Sequence, residues 1–176
     1  MTVRFGTSGT VTPPASNVAK NAARNDAQGF DSIWWPDHLM GWHPDAIFSP
    51  EFGDLASVQS NGHIYLDAVV AMSLAASATS EVALGTAVTE PIRRHPAMLA
   101  QAFLSLHHAS EGRAILGIGA GEIENIEPSG LGFGRPVSRL AEALEVIKLL
   151  LLSFFTDTAA AEFYTLRDAV LGLGPV

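Results

Sequence analysis

Four short apolar runs, each followed by a longer stretch of helical character, constrain the fold of this sequence more than any other feature. The runs begin near residues 3, 32, 82 and 114 of 176. Strands that alternate with helices pair in parallel, because each helix carries the chain back over the sheet by a right-handed crossover. Val3 to Ser8 reads as the first strand, with Gly6 and Gly9 loosening its end. A turn at Thr12, Pro13 and Pro14 follows, with Ser16 as a helix N-cap and a helix from Val18 to Gln28 that Gly29 ends. Phe30 to Trp35 is the second strand, closed by Pro36. Ile64 to Ala78 is a helix rich in alanine, and Val82 to Val88 is the third strand. His95 to His108 is the next helix, with Pro96 suited to its first turn. Ala114 to Gly119 is the fourth strand and reads as buried on both faces. Pro136 to Ser153 is the fourth helix, with Leu140, Leu144, Ile147 and Leu151 on one stripe. Two α/β architectures fit this order: a doubly wound sheet, or four units of a (β/α)8 TIM barrel, which needs eight units and typically ~250 residues.

Two segments stand outside the pattern. Leu39 to His63 has no clear period and reads as a long loop, a length that usually signals function. Beyond residue 153, Thr156 to Ala161 reads as a small-residue connector and Phe163 to Leu166 as a short extended piece, with no ending element after Leu171. The net charge of −8 argues against nucleic acid or an anionic membrane as partner, since both select basic surfaces. With no cysteine there is no disulfide, thiolate metal site or cysteine nucleophile. The apolar run Leu149 to Leu152 is too short to span a bilayer, and the N-terminus has no apolar signal core, so a soluble, cytoplasmic chain is expected.

In both architectures functional groups gather at the carboxyl ends of the strands. That rule selects Ser8, Asp37 with His38, Thr86 to Thr89, and Gly119 to Asn125. An imidazole at His38 suits proton transfer near neutral pH, and Asp37 beside it suits orienting it. The same pair also suits a plainer role, with Asp37 capping the loop and His38 a packed polar residue. Glu122 follows Gly117, Gly119 and Gly121. A carboxylate in a glycine-lined pocket can act as an acid, or it can be a solvated loop charge beside Glu124 and Glu127. The glycines fail the dinucleotide fingerprint, because the third glycine position holds Glu122 and a loop, not a helix, follows. The six histidines lack metal-ligand spacing, so no metal is expected, and neither a serine-hydrolase elbow nor a nucleotide-binding Walker loop is present.

Four stretches together resemble the luciferase-like family of flavin and deazaflavin oxidoreductases. They are Gly29 to Leu39, Leu84 to Thr89, Arg94 to Gln101 and Gly112 to Glu122. The run Gly121 to Asn125, and Asp37-His38 followed by Trp42, are most similar to the branch that uses the deazaflavin coenzyme F420. Asn125 to Gly130 and Arg135 to Arg139 resemble mycobacterial phthiodiolone ketoreductases. The resemblance implies a (β/α)8 barrel with the cofactor across its C-terminal mouth, and an oxidoreductase moving hydride between F420 and a carbonyl or imine substrate. By that resemblance His38, Glu122 and Trp42 are catalytic: His38 near the reactive carbon, Glu122 exchanging a proton with the substrate oxygen, and Trp42 lining the substrate side. Asp37, His38, Glu122, Gly121 and Asn125 would contact the cofactor, with Thr86 and Ala120 beside them. Ala87-Val88 would be the non-prolyl cis pair that backs the ring.

Members of that family run to about twice this length, so residues 1–176 are expected to form the N-terminal part of one luciferase-like domain, ending before the fifth strand. A half barrel with open strand edges is expected to form a homo-oligomer or to aggregate. The alternatives are an FMN-dependent monooxygenase of the same superfamily, and a non-catalytic half barrel that self-associates or pairs with a separate C-terminal half. A small-molecule substrate is expected in the first two cases.

Overall fold

The computed structural model describes residues 3–41, 44–152, 155–156, 159–160, 162–166 and 169–173. Four parallel strands, β1 (Gly6–Ser8), β2 (Ser32–Trp35), β3 (Ala83–Thr86) and β4 (Ala114–Ile115), pair in the order β1-β2-β3-β4. This order decides between the two architectures. A doubly wound sheet reverses its strand order at a switch point, whereas a (β/α)8 barrel adds strands in sequence. The chain therefore holds four consecutive units of the barrel arrangement, and each strand is shorter than its apolar run.

The main helices are α1 (Ser16–Ala27), α3 (Ala68–Ala76), α4 (Pro96–Ala109) and α6 (Pro136–Leu152), and each packs on the next. Side chains alternate across a strand, and Ile33, Trp35 and Leu84 turn to the helices, where they join Val18, Met72, Leu99 and Ile147 in one core. Small residues on α3 (Ala68, Ala71, Ala75 and Ala76) are buried and let it lie close to its neighbours. The opposite face of the sheet carries the row Trp34, Gly85 and Ile115. Trp34 lies across that row: a Cβ on Gly85 would stand 2.4 Å from its ring, and one on Gly6 would stand 2.9 Å from its Nε1. Gly6 and Gly85 thus make room for an indole, a role different from the loosening expected of Gly6.

Several expectations are corrected in detail. Helix α1 begins at Ser16 itself, its N-cap position is Ala15, and no side chain caps it. Helix α3 starts four residues later than its apolar pattern, because Asp67 Oδ1 accepts from the Val69 and Val70 N–H groups at 2.9 and 3.1 Å and sets the first turn. The long loop contains a 3-10 turn at Asp45–Ile47 and the single turn α2 (Leu55–Val58). The loop after β4 folds into α5 (Ile123–Ile126) and a 3-10 turn at Glu127–Ser129. Strand β4 is not buried on both faces: it is the sheet edge, and Ile115 is 39% exposed. After α6, β5 (Phe155–Thr156) pairs with β8 (Ala169–Val170), and β6 (Ala159–Ala160) pairs with β7 (Thr165–Leu166), both antiparallel. Strands of two residues carry no readable period. Between β6 and β7, Tyr164 donates its hydroxyl to the Pro91 carbonyl at 2.7 Å and Phe163 N–H donates to Glu142 at 2.8 Å, which ties this segment to the barrel body. No helix among the described residues is long and apolar enough to cross a membrane.

Asp26 joins the end of α1 to the start of β3. Its carboxylate accepts from the N–H groups of Ser80, Glu81 and Val82 at 2.8, 3.2 and 2.7 Å. Burial pushes its pKa up, but the hydrogen bonds from Ser80, Val82 and Glu81 together outweigh burial and hold it below the usual carboxylate value. A folded pKa below the unfolded one gives stability that is complete above about pH 4 and is lost as pH falls through the folded value. Asp26→Asn is therefore expected to lower stability at pH 7 and to flatten its acid dependence below about pH 4, read from urea midpoints across pH. Gly9 tests the core: its Cβ would fall 2.0 Å from the buried Trp35 ring, while Gly132 has nothing within 4 Å. Gly9→Ala should cost about 1–3 kcal/mol by overpacking, and Gly132→Ala should stay within about 0.5 kcal/mol. Equal urea midpoints for the two variants would contradict that account.

Candidate active site

The carboxyl ends of β2, β3 and β4 open into a cleft of about 350 Å³. Its shelf comes from the segment after β3. The Ala87-Val88 peptide is cis. Val88 is 48% exposed, and with Ala87, Ala120 and Gly121 it forms an apolar patch on the cleft wall. The shelf is locked to the segment after β4, where Thr89 N–H donates to Gly117 O at 3.0 Å and Gly119 N–H donates to Thr89 O at 2.9 Å. Gly121 has φ +92°, and a Cβ there would meet Ile126 Cδ1 at 2.6 Å, so only glycine fits. The result is bare backbone facing the cleft.

The polar wall is a triangle of His38, Glu122 and Asn125. Asn125 is 4% exposed and occupies the first turn after Glu122. Its Oδ1 accepts from the Leu39 and Met40 N–H groups at 3.0 and 3.2 Å, which fixes the loop that follows His38. Its Nδ2 stands 3.3 Å from His38 Nδ1 and 3.3 Å from Glu122 Oε2. His38 Nε2 lies 3.6 Å from the same Glu122 oxygen. Tyr65 stacks on the imidazole, with centroids 5.5 Å apart and planes 23° from parallel. Burial, then the nearby Glu122 charge, raises the Tyr65 pKa, so its phenol stays neutral at physiological pH.

Beneath this wall Asp37 is buried and fully engaged. Arg94 grips its carboxylate with Nε at 2.7 Å and Nη2 at 3.0 Å, and Thr89 donates its hydroxyl at 2.6 Å. Burial raises the Asp37 pKa, but the Arg94 and Thr89 hydrogen bonds and the charges of Arg94 and Arg93 bring it below the usual range. Arg94 also reaches Asp67 Oδ2 at 2.6 Å, so the α3 cap and the cleft share one guanidinium. Arg93 donates to the Asp37 carbonyl and lies 2.6 Å from Glu90 Oε1.

The cleft thus brings together nine residues selected from the sequence, Thr89 among them. Asp37 and His38 come from β2, Ala87, Val88 and Thr89 from β3, and Ala120, Gly121, Glu122 and Asn125 from β4. Thr86 does not line it; the side chain is fully buried, donates to Gly117 O at 2.7 Å and accepts from Gly117 N–H at 3.1 Å. Ser8 ends β1 and does not line it either. Trp42 lies outside the described residues. Sequence reading passed over Tyr65, Asp67, Glu90 and Arg93, and gave Arg94 no role. The Arg93-Arg94 pair beyond an apolar strand was the available signal, since a buried acid there needs a cation. Among the described residues no group of three or more His, Asp or Glu side chains is placed to hold a metal ion.

A family model described as luciferase-like monooxygenase matches residues 1–175. A phthiodiolone/phenolphthiodiolone dimycocerosates ketoreductase of Mycobacterium tuberculosis is 39% identical over 140 residues, covering 78% of this chain and 37% of that protein. An F420-dependent glucose-6-phosphate dehydrogenase of Kineococcus radiotolerans is 37% identical over 158 residues, covering 88% of this chain and 42% of that protein. Among solved structures, an F420-dependent secondary alcohol dehydrogenase in complex with an F420-acetone adduct superposes with a TM-score of 0.82 at 29% identity, over 99% of this chain and 50% of that one. The chain spans half or less of the length of each of these proteins. With its barrel-ordered strands and a model match over nearly all its residues, the chain belongs to the luciferase-like monooxygenase family.

Proposed function

We propose that this chain supplies one wall of an F420-dependent oxidoreductase site, which moves hydride between the deazaflavin and a carbonyl or imine carbon. The observation that carries the reading is the His38–Asn125–Glu122 triangle standing beside the apolar shelf of Ala87, Val88, Ala120 and Gly121. The shelf fits a planar ring system, because Gly121 adds no side chain to the cleft wall and Val88 presents an open apolar face. A deazaflavin held there would supply the hydride chemistry, and the protein contributes orientation and proton control. Ala87 and Val88 would back its ring. Asp37 acts from behind, since its carboxylate is spent on Arg94 and Thr89, and it holds the His38 backbone in place. Glu122, with 56% of its side chain exposed, reaches the cleft and exchanges a proton with the substrate oxygen. His38 offers a second polar group to the charge that develops on that oxygen.

The name of one relative at 37% identity, an F420-dependent glucose-6-phosphate dehydrogenase, supports F420 over FMN. Two neighbour structures that hold FMN or a modified FMN are 18% and 14% identical and speak to the fold alone. Exposed Phe5 beside β1 and exposed Ile115 on β4 favour association through the sheet edges, so molecular mass belongs in the same experiment.

The test is a fluorescence titration of the purified chain with F420 and, separately, with FMN, at known oligomeric mass. Saturable binding of F420 without FMN binding is expected. FMN binding alone would replace this reading with the monooxygenase one, and a folded chain that binds neither would overturn it. In the F420-loaded protein, His38→Ala and Glu122→Gln are each expected to lower the hydride-transfer rate about 10²–10⁴-fold. Unchanged rates in both would remove their assigned roles.

A further inference from the structure

Asn125 does more than join two loops. Its amide orientation is decided by its surroundings: Oδ1 faces the N–H groups of Leu39 and Met40, and the flipped amide would set its own hydrogens against both. The nitrogen therefore points at His38 Nδ1 and Glu122 Oε2, each 3.3 Å away. An amide nitrogen can only donate. The acceptor it meets at His38 must be a lone pair, so Nδ1 carries no proton in the neutral ring. The remaining ring proton sits on Nε2, the atom 3.6 Å from Glu122 Oε2.

We propose that Asn125 is a positioning residue that sets the tautomer of His38, holding the neutral imidazole as Nε2–H with that proton turned toward Glu122; its catalytic meaning rests on the function proposed above. Three features make the setting firm. Asn125 is almost fully buried, so water does not compete for its amide. All four of its hydrogen-bonding positions are used: two by backbone N–H groups, one by His38 and one by Glu122. Tyr65 covers one face of the ring and fixes its plane without offering either nitrogen a partner. The consequence is an ordered proton site. Glu122 Oε2 receives one amide hydrogen from Asn125 and faces the imidazole N–H, so the carboxylate and the ring lie within reach of one oxygen in the cleft.

The test is the long-range proton–nitrogen NMR spectrum of the 176-residue chain labelled in its histidine rings, with His38 assigned by the signals lost in His38→Gln. The wild-type neutral ring is expected to be mostly Nε2–H. Asn125→Asp keeps an oxygen for the Leu39 and Met40 N–H groups but sets an acceptor against Nδ1, so the ring is expected to invert to mostly Nδ1–H. A wild-type ring that is mostly Nδ1–H, or an even mixture, overturns the inference even where the variant fails to fold. A folded Asn125→Asp chain that keeps Nε2–H overturns it as well. The F420 titration reads separately: a chain that binds no F420 yet shows Nε2–H loses the functional reading and keeps this one, and the reverse result does the opposite.

Discussion

The buried Asp37 carboxylate and the cations around it hold the working end of this fold together. Three segments meet there: the end of β2, the turn after β3 and the cap of α3. An isolated carboxylate in such a place costs several kcal/mol in lost hydration. Arg94 answers with a two-pronged grip, Thr89 adds a hydroxyl, and Arg93 reaches the Asp37 carbonyl. Hydrogen bonding to Asp37 first, and to Asp67 next, raises the Arg94 pKa against the effect of burial, so the guanidinium keeps its charge at any ordinary pH. Such a network adds little net stability relative to a well-packed apolar core, but its geometry is strict. What it supplies is a fixed position for the residue after Asp37, which is His38.

From that anchor the site is assembled by backbone. The Thr89 and Gly119 amides hold the segment after β3 to the segment after β4. Thr86, three residues earlier, does the same through its hydroxyl and Gly117. A side chain at Gly117 would collide with the Thr86 carbonyl at 1.9 Å, so the two segments approach as closely as backbones can. This close approach accounts for Gly117, while a Cβ at Gly119 would meet the Val88 side chain at 2.9 Å and Gly121 has its positive φ. These glycines leave backbone and small side chains at the cleft wall, and the polar groups enter only at its end, on Glu122 and Asn125.

The sequence made part of this legible. Strand order, helix order and the residues just past β2, β3 and β4 follow from local pattern, because each lies within a few residues of an apolar run. Thr86 lies at a strand end too, yet the pleat turns it to the same face as Leu84 and away from the cleft. The residues that escaped reading arrive from a distance. Arg94 meets Asp37 across 57 positions and Asp67 across 27, and Tyr65 reaches His38 from the foot of α3. Neither helical nor strand period carries information about such meetings. The two antiparallel pairs after α6 escaped for another reason, since two-residue strands leave no alternation to detect.

The division of labour between Asp37 and Asn125 follows from what each can exchange. An ionised carboxylate only accepts, and Asp37 has spent its oxygens on cations and a hydroxyl. It can place His38 but cannot inform the ring which nitrogen to protonate, because it makes no contact with the ring. Asn125 both accepts and donates. Its oxygen reads the backbone just past His38, and its nitrogen addresses the ring and Glu122 together. Position comes from the charge network on one side of His38 and proton placement from the amide on the other. A luciferase-like barrel that kept Asp37 and Arg94 but lost Asn125 would retain the shape of this cleft while leaving the proton free to occupy either ring nitrogen.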